Sequence, residues 1–229
     1  MLRRTRNLER ITLHLSDSDI LTHLVSDPAS PSAPFTWPNL RHLELRATCI
    51  NFWSVAETSD LFARFLVAHP LLETLILHNY NNSQEYKLSG SFSLARYPHA
   101  LRNLQVLRAP LCIIAGVLES TSAASSLTEI TDSTILRIPR LDSEQLLKRV
   151  ISLFECVPNP PIHRLKMQVP RFAYELFMRL SKCMPNLKTV EFDDEISVDP
   201  RQQGAQEESS VMVSSSSLLT RCYLFKQMF

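Results

Sequence analysis

The feature that most limits what this chain can fold into is a spacing. Arg6-Asn7-Leu8-Glu9-Arg10-Ile11-Thr12-Leu13 is echoed by Pro38-Asn39-Leu40-Arg41-His42-Leu43-Glu44-Leu45, by Pro70-Leu71-Leu72-Glu73-Thr74-Leu75-Ile76-Leu77 and by Arg102-Asn103-Leu104-Gln105-Val106-Leu107-Arg108-Ala109. The anchors Leu8, Leu40, Leu72 and Leu104 stand three equal steps of 32 residues apart, and equal steps of this length mark a structural repeat. Further copies are anchored at Leu127, Ile162 and Leu187, after steps of 23, 35 and 25 residues. Each copy places apolar residues at the anchor and at the third position after it, and all but the Leu127 copy, which has Asp132 there, also at the fifth. The last two alternate with polar residues, as in a short strand with one face buried.

Between copies the period changes from two to that of a helix. Leu61, Phe62, Phe65 and Leu66 share one face behind the capping-box spacing of Ser54-Val55-Ala56-Glu57, and Pro70 follows the helix end. Leu146, Leu147, Val150, Ile151 and Phe154 do the same behind Asp142-Ser143, stopped by Pro158. Phe172, Leu176, Phe177, Leu180 and Met184 do so ahead of Pro185, and Ile20, Leu21, Leu24 and Val25 form a shorter case behind Ser16-Asp17. The unit is therefore strand, loop, helix, loop. A lone unit of this kind cannot bury its apolar face, but stacked units bury it against one another.

These residues resemble the leucine-rich repeat family, whose L-x-x-L-x-L core is met by Leu40/Leu43/Leu45, Leu72/Leu75/Leu77 and Leu187/Val190/Phe192. The resemblance spans roughly residues 7 to 196. It implies an α/β leucine-rich-repeat solenoid with parallel strands on the concave side and helices on the convex side, built of about seven irregular repeats over residues 1–199. The family places an Asn or Cys three residues after the core, where it satisfies backbone groups of the turn. Cys112 meets that position, Ser16 and Thr48 substitute weakly, and Tyr80, Ile135 and Glu195 do not. The pattern is thus closest to the long, irregular repeats of F-box leucine-rich proteins. That likeness implies a substrate-recognition role in a cullin-type ubiquitin ligase, with a Skp-type adaptor and a cullin as partners if an F-box lies upstream. No F-box segment is visible ahead of the first repeat. The alternative is a free-standing leucine-rich binding or regulatory protein unrelated to ubiquitination.

Outside the repeats, Asp27-Pro28-Ala29-Ser30-Pro31-Ser32-Ala33-Pro34 is expected to be an exposed, extended loop. Residues 200–217, polar and low in complexity, are expected to be a disordered linker, and residues 218–229 a short apolar tail.

Composition narrows the chemistry. Among 229 residues there are only three glycines, Gly90, Gly116 and Gly204, too far apart for a glycine-rich phosphate loop or a dinucleotide fingerprint. A formal charge of +1 gives no global field directed at nucleic acid or an anionic membrane. The five cysteines include no C-x-x-C pair and are expected to be buried thiols. The basic start at Met1 leads into Asn7-Leu8-Glu9-Arg10, not into an apolar stretch. The longest apolar run, Leu111 to Leu118, is far short of the roughly 20 residues a spanning helix needs. These features point to an intracellular protein, cytoplasmic or nuclear.

With the third and fifth positions buried, the second, fourth and sixth after each anchor share the opposite face. From the first four copies this face collects Arg10, Thr12, His14, then His42, Glu44, Arg46, then Thr74, Ile76, His78, then Val106, Arg108, Pro110. From the last three it collects Glu129, Thr131, Ser133, then Arg164, Lys166, Gln168, then Thr189, Glu191, Asp193, so the face runs from basic to acidic. Arg10, His42, Arg46, His78 and Arg108 are the candidate partner-binding residues, suited to an acidic or phosphorylated protein because arginine pairs bidentately with such groups. No HExxH spacing and no G-x-S-x-G elbow occurs, so neither catalytic residues, nor a cofactor, nor a metal is assigned, and the chain is not expected to be an enzyme. Trp37 and Trp53 are expected to pack rather than to anchor a partner.

Overall fold

A computed structural model describes residues 5, 7–15, 26–27, 30–34, 36–47, 56–79, 92–133, 140–157, 159–168 and 174–193. Seven strands, β1 (Arg10–Leu15), β4 (His42–Ala47), β5 (Thr74–Asn79), β6 (Val106–Ala109), β7 (Glu129–Asp132), β8 (Arg164–Gln168) and β9 (Thr189–Asp193), form one parallel sheet in chain order. A small antiparallel pair, β2 (Ser26–Asp27) and β3 (Ser30–Pro34), lies between the first two of these in sequence. The helices are α1 (Ala56–Val67), α2 (Leu111–Leu118), α3 (Thr121–Ser126), α4 (Arg140–Glu155) and α5 (Tyr174–Cys183).

The strands pair in the register that the anchor spacing sets. Leu43 pairs with Leu75, Leu75 with Leu107, Leu107 with Ile130, Ile130 with Leu165, and Leu165 with Val190. Entry to every new strand is fixed in one way. The carbonyl of Glu9, Arg41, Glu73, Gln105, Thr128 or His163 accepts two successive N–H groups of the next strand's start, at 2.8 to 3.3 Å. A main-chain acceptor on the residue after each anchor thus locks the offset that the leucines select, because a slip of one residue would turn every leucine outward. The row Ile11, Leu43, Leu75, Leu107, Ile130, Leu165 and Val190 is buried, as are the anchors Leu40, Leu72, Leu104, Leu127 and Ile162.

The solenoid expected from the leucine-rich resemblance is not what these strands build. The sheet is flat and uncurled, a compact parallel sheet flanked by a few helices. Curvature in a solenoid accumulates because every unit applies the same small rotation. Here the connections differ in kind. A strand pair precedes β4, a 12-residue helix precedes β5, described residues 92–105 approach β6 through turns, two short helices precede β7, and helices of 16 and 10 residues precede β8 and β9. The residue expected to satisfy a turn, Cys112, lies instead inside α2, where burial pushes its thiol up to about 12. The F-box-type ubiquitin-ligase reading and its free-standing leucine-rich alternative both rested on the solenoid, and both fall with it.

Other expectations are corrected locally. Of residues 27–34, expected to be an exposed, extended loop, Asp27 ends β2 and Ser30–Pro34 form β3. The cysteines are not uniformly buried, since Cys156 is exposed and Cys112 and Cys183 are half-buried thiols. The helix at 20–25, the cap at 54–55, Trp53, Phe172, the linker at 200–217 and the tail at 218–229 lie outside the described residues.

One part of the core is an aromatic cluster against α1. Trp37 is buried, edge-on to Phe65 at 6.1 Å, and Phe65 stacks on Phe62, which meets Phe92 at 5.9 Å. His69 completes the group: its Nδ1–H donates to the Phe65 carbonyl at 2.6 Å, so its Nε2 accepts the Trp37 N–H at 2.9 Å. Burial holds this imidazole below its ordinary pKa, in the neutral tautomer that the two bonds require. Gly116 in α2 touches the Phe92 backbone so closely that a Cβ would lie 2.5 Å from the Phe92 carbonyl oxygen.

Candidate functional site

On the sheet face opposite the leucines, the strand register sorts the polar side chains into rows. One row runs Arg10, His42, Thr74, Val106, Glu129, Arg164, Thr189. The next runs Thr12, Glu44, Ile76, Arg108, Thr131, Lys166, Glu191. His14, Arg46 and His78 begin a third. Adjacent strands stand about 4.8 Å apart, so long side chains reach across to the neighbouring strand and diagonally to the next row.

Three of the five candidate residues meet at one carboxylate. Glu44, whose side chain is only 12% exposed, accepts from Arg46 Nε at 2.7 Å and from Thr12 Oγ1 at 3.4 Å. His78 Nε2 lies 3.5 Å and His42 Nε2 3.9 Å from the same carboxylate. Burial by itself raises the Glu44 pKa, but the hydrogen bond and charge of Arg46, helped by His78 and Thr12, outweigh it and hold the carboxyl below its ordinary value. Both imidazoles go the other way from a simple ion pair. Burial lowers His42, and Arg10 lowers it further against the pull of Glu44. Burial likewise lowers His78, with Glu44 opposing and Arg46 and Arg108 assisting. At neutral pH both rings are therefore neutral, and their contacts with Glu44 are dipolar rather than ionic.

The other two candidates lie to either side. Arg10 is exposed next to His42 and enters no ion pair among the described residues. Arg108, 42% exposed, donates through Nη2 to Glu129 at 3.1 Å, while its buried Nε has no hydrogen-bond partner. Glu129 is shared with Arg164 at 3.8 Å, and Arg164 and Lys166 reach Glu191 at 3.4 and 3.7 Å. The expected basic-to-acidic gradient is thus a ladder of alternating charge, in which β8 supplies the cations for carboxylates on both neighbours. The irregular steps of 23, 35 and 25 residues hide these pairs from the sequence, because no fixed offset connects them. Only the strand assignment, with the alternation of faces, could have found them.

No group of three or more His, Cys, Asp or Glu side chains suited to a metal ion occurs among the described residues, and none of the described helices is long and apolar enough to cross a membrane. No protein-family model matches this chain, and no curated protein matches it significantly. The site is therefore argued from its own geometry.

Proposed function

We propose that the polar face over β1, β4, β5 and β6 is an anion-recognising surface for an acidic or phosphorylated segment of a protein partner, held without a chemical step. The observation that supports it is the local charge balance: Arg46 is held by the low-pKa carboxylate of Glu44, Arg108 by Glu129, and Arg10 lies exposed beside His42. Arginine on a strand face is preorganised, since the strand fixes its root and Glu44 or Glu129 steers its head. The titratable groups of the cluster are engaged with one another, which favours binding over catalysis. The reading depends on neither a cofactor nor nucleic acid, and the alternating ladder over β7 to β9 disfavours a polyanion lying along the whole sheet. The compartment proposed with it is intracellular, cytoplasmic or nuclear, in keeping with the exposed free thiol of Cys156.

A fluorescently labelled glutamate-rich peptide is the direct probe. Binding that weakens with salt and falls at least about tenfold in Arg46→Glu and in Arg108→Glu is the expected result. Equal binding by both variants, with urea midpoints showing that they are folded, would overturn the proposal.

A further inference from the structure

The two edges of the seven-stranded sheet are not alike. On β9 the polar face carries Glu191, a carboxylate already engaged by Arg164 and Lys166. On β1 it carries Arg10, Thr12 and His14, all three exposed, whereas the residues in register with them on the inner strands, His42, Glu44 and Arg46 on β4 and Thr74, Ile76 and His78 on β5, are half-buried. We infer that the outer edge of β1 receives an extended segment of the acidic partner as an added strand, in which acidic residues alternate with apolar ones. This rests on the anion-recognising reading of the face and states how its partner is held.

Three observations carry it. First, an edge strand leaves a row of N–H and C=O groups on its outer side, and among the described residues β1 pairs with β4 alone. An incoming strand bonds to such a row through its own main chain, which supplies affinity, while its alternate side chains supply the choice of partner. Second, the leucine row is incomplete at this edge. On β4 and β5 the anchor and the fifth residue after it are buried, as Leu40 and Leu45 and as Leu72 and Leu77, but their counterparts Leu8 and Leu13 are only partly buried. Apolar residues of an added strand lie beside Ile11 and Leu13 and continue that row. Third, the other face of β1 is cationic and unpaired. Arg10 enters no ion pair and His14 no hydrogen bond among the described residues, so an acidic side chain opposite either one gains a partner without displacing another. Both strands alternate with a period of two, so one segment meets the two demands together, with acidic residues over Arg10 and His14 and apolar residues between them. The β9 edge presents a carboxylate in the same place and repels such a segment.

The test uses the full chain and three peptides: one alternating glutamate and valine, one of the same composition with its glutamates grouped at one end, and the alternating peptide with all its amides N-methylated. Fluorescence anisotropy measures affinity, and amide hydrogen exchange read by NMR follows the strands. The alternating peptide is expected to bind at least about tenfold tighter than the grouped one, to lose that advantage when N-methylated, and to slow exchange in β1 while leaving β9 unchanged. Arg10→Glu, at an exposed position, should weaken it at least about tenfold while the urea midpoint is kept. Alternating and grouped peptides bound equally, or an N-methylated peptide bound as well as its parent, would overturn the edge pairing. So would exchange slowed at β9 in place of β1. If in those cases Arg46→Glu and Arg108→Glu still weaken binding, the acidic-partner reading stands without the added strand. Binding of none of the peptides would overturn both.

Discussion

Glu44 and Glu129 lie on one face of the same sheet, and each gathers cations from its own and adjoining strands, yet the two regions answer to different variables. Around Glu44 two of the neighbours are imidazoles held neutral by burial, so the charge of this region depends on pH and on whatever settles near it. Around Glu129 and Glu191 the partners are guanidinium and ammonium groups, those of Arg108, Arg164 and Lys166. The cores behind them differ as well. The Glu44 side is backed by the rings of Trp37, Phe62, Phe65, His69 and Phe92, the Glu129 side chiefly by aliphatic side chains with Phe154. One row of strands with one rule of pairing thus supports a titratable region and a fixed one.

The sharpest way to break the contrast is through the shared leucine row. Leu75→Asp, in the middle of the sheet with no exposure, should cost about 4 kcal/mol or more in urea unfolding, and Val190→Asp on the edge strand about 2 kcal/mol. Equal costs would show that the two halves do not share a graded core. Next comes Gly116→Ala, whose Cβ has no room against Phe92. A loss of about 1 to 3 kcal/mol is expected, and an unchanged melting temperature would show that α2 moves away freely.

The third is a pH effect with a definite sign. His69 is kept neutral in the fold, so the unfolded chain binds more protons, and stability falls as pH drops below the ordinary imidazole value of 6.5. His69→Ala should therefore cost about 2 kcal/mol at pH 7.5, through the lost acceptor for the Trp37 N–H, and less at pH 5. A penalty independent of pH would remove the neutral-tautomer argument. The fourth compares the two carboxylates directly. Glu44→Gln should move the His78 midpoint down, because Glu44 is the group that raises it, while Glu129→Gln should leave it in place. Histidine NMR decides the outcome. Smallest of all, Arg179→Gln breaks a two-pronged pair with Glu155 on the solvent side of α5 and α4 and should leave the urea midpoint unmoved.

How much of this was legible follows from what a spacing encodes. The anchors gave the strand offsets, and the structure repeats them in its contacts: Trp37 bonds His69, Arg41 bonds Glu73 and Thr12 bonds Glu44, each across 32 residues. The buried faces of α1 and α4 were legible from Phe62, Phe65, Val150, Ile151 and Phe154 for the same reason of period. A spacing does not encode the angle between successive units. That angle depends on how each connection packs, and the helix at Leu111–Leu118, read from sequence only as an apolar run, shows how little the connections share. The anchor spacing therefore carried the pairing, and the resemblance to leucine-rich repeats gave the wrong fold. In the site, the alternation put Arg10, His42, Arg46, His78 and Arg108 on one face, but the gathering of His42, Arg46 and His78 at Glu44 needed side-chain geometry, as did the departure of Arg108 toward Glu129.

Because the strands follow one another across the sheet without a crossing, β1 and β9 form its opposite edges. A pull applied between Arg10 and Asp193 runs across the strands, so it loads the outermost pairing first and passes to the next only after that one has parted. Under tension the molecule should yield as a staircase of small, low-force extensions of one strand and its connection each, instead of resisting to a single high-force rupture.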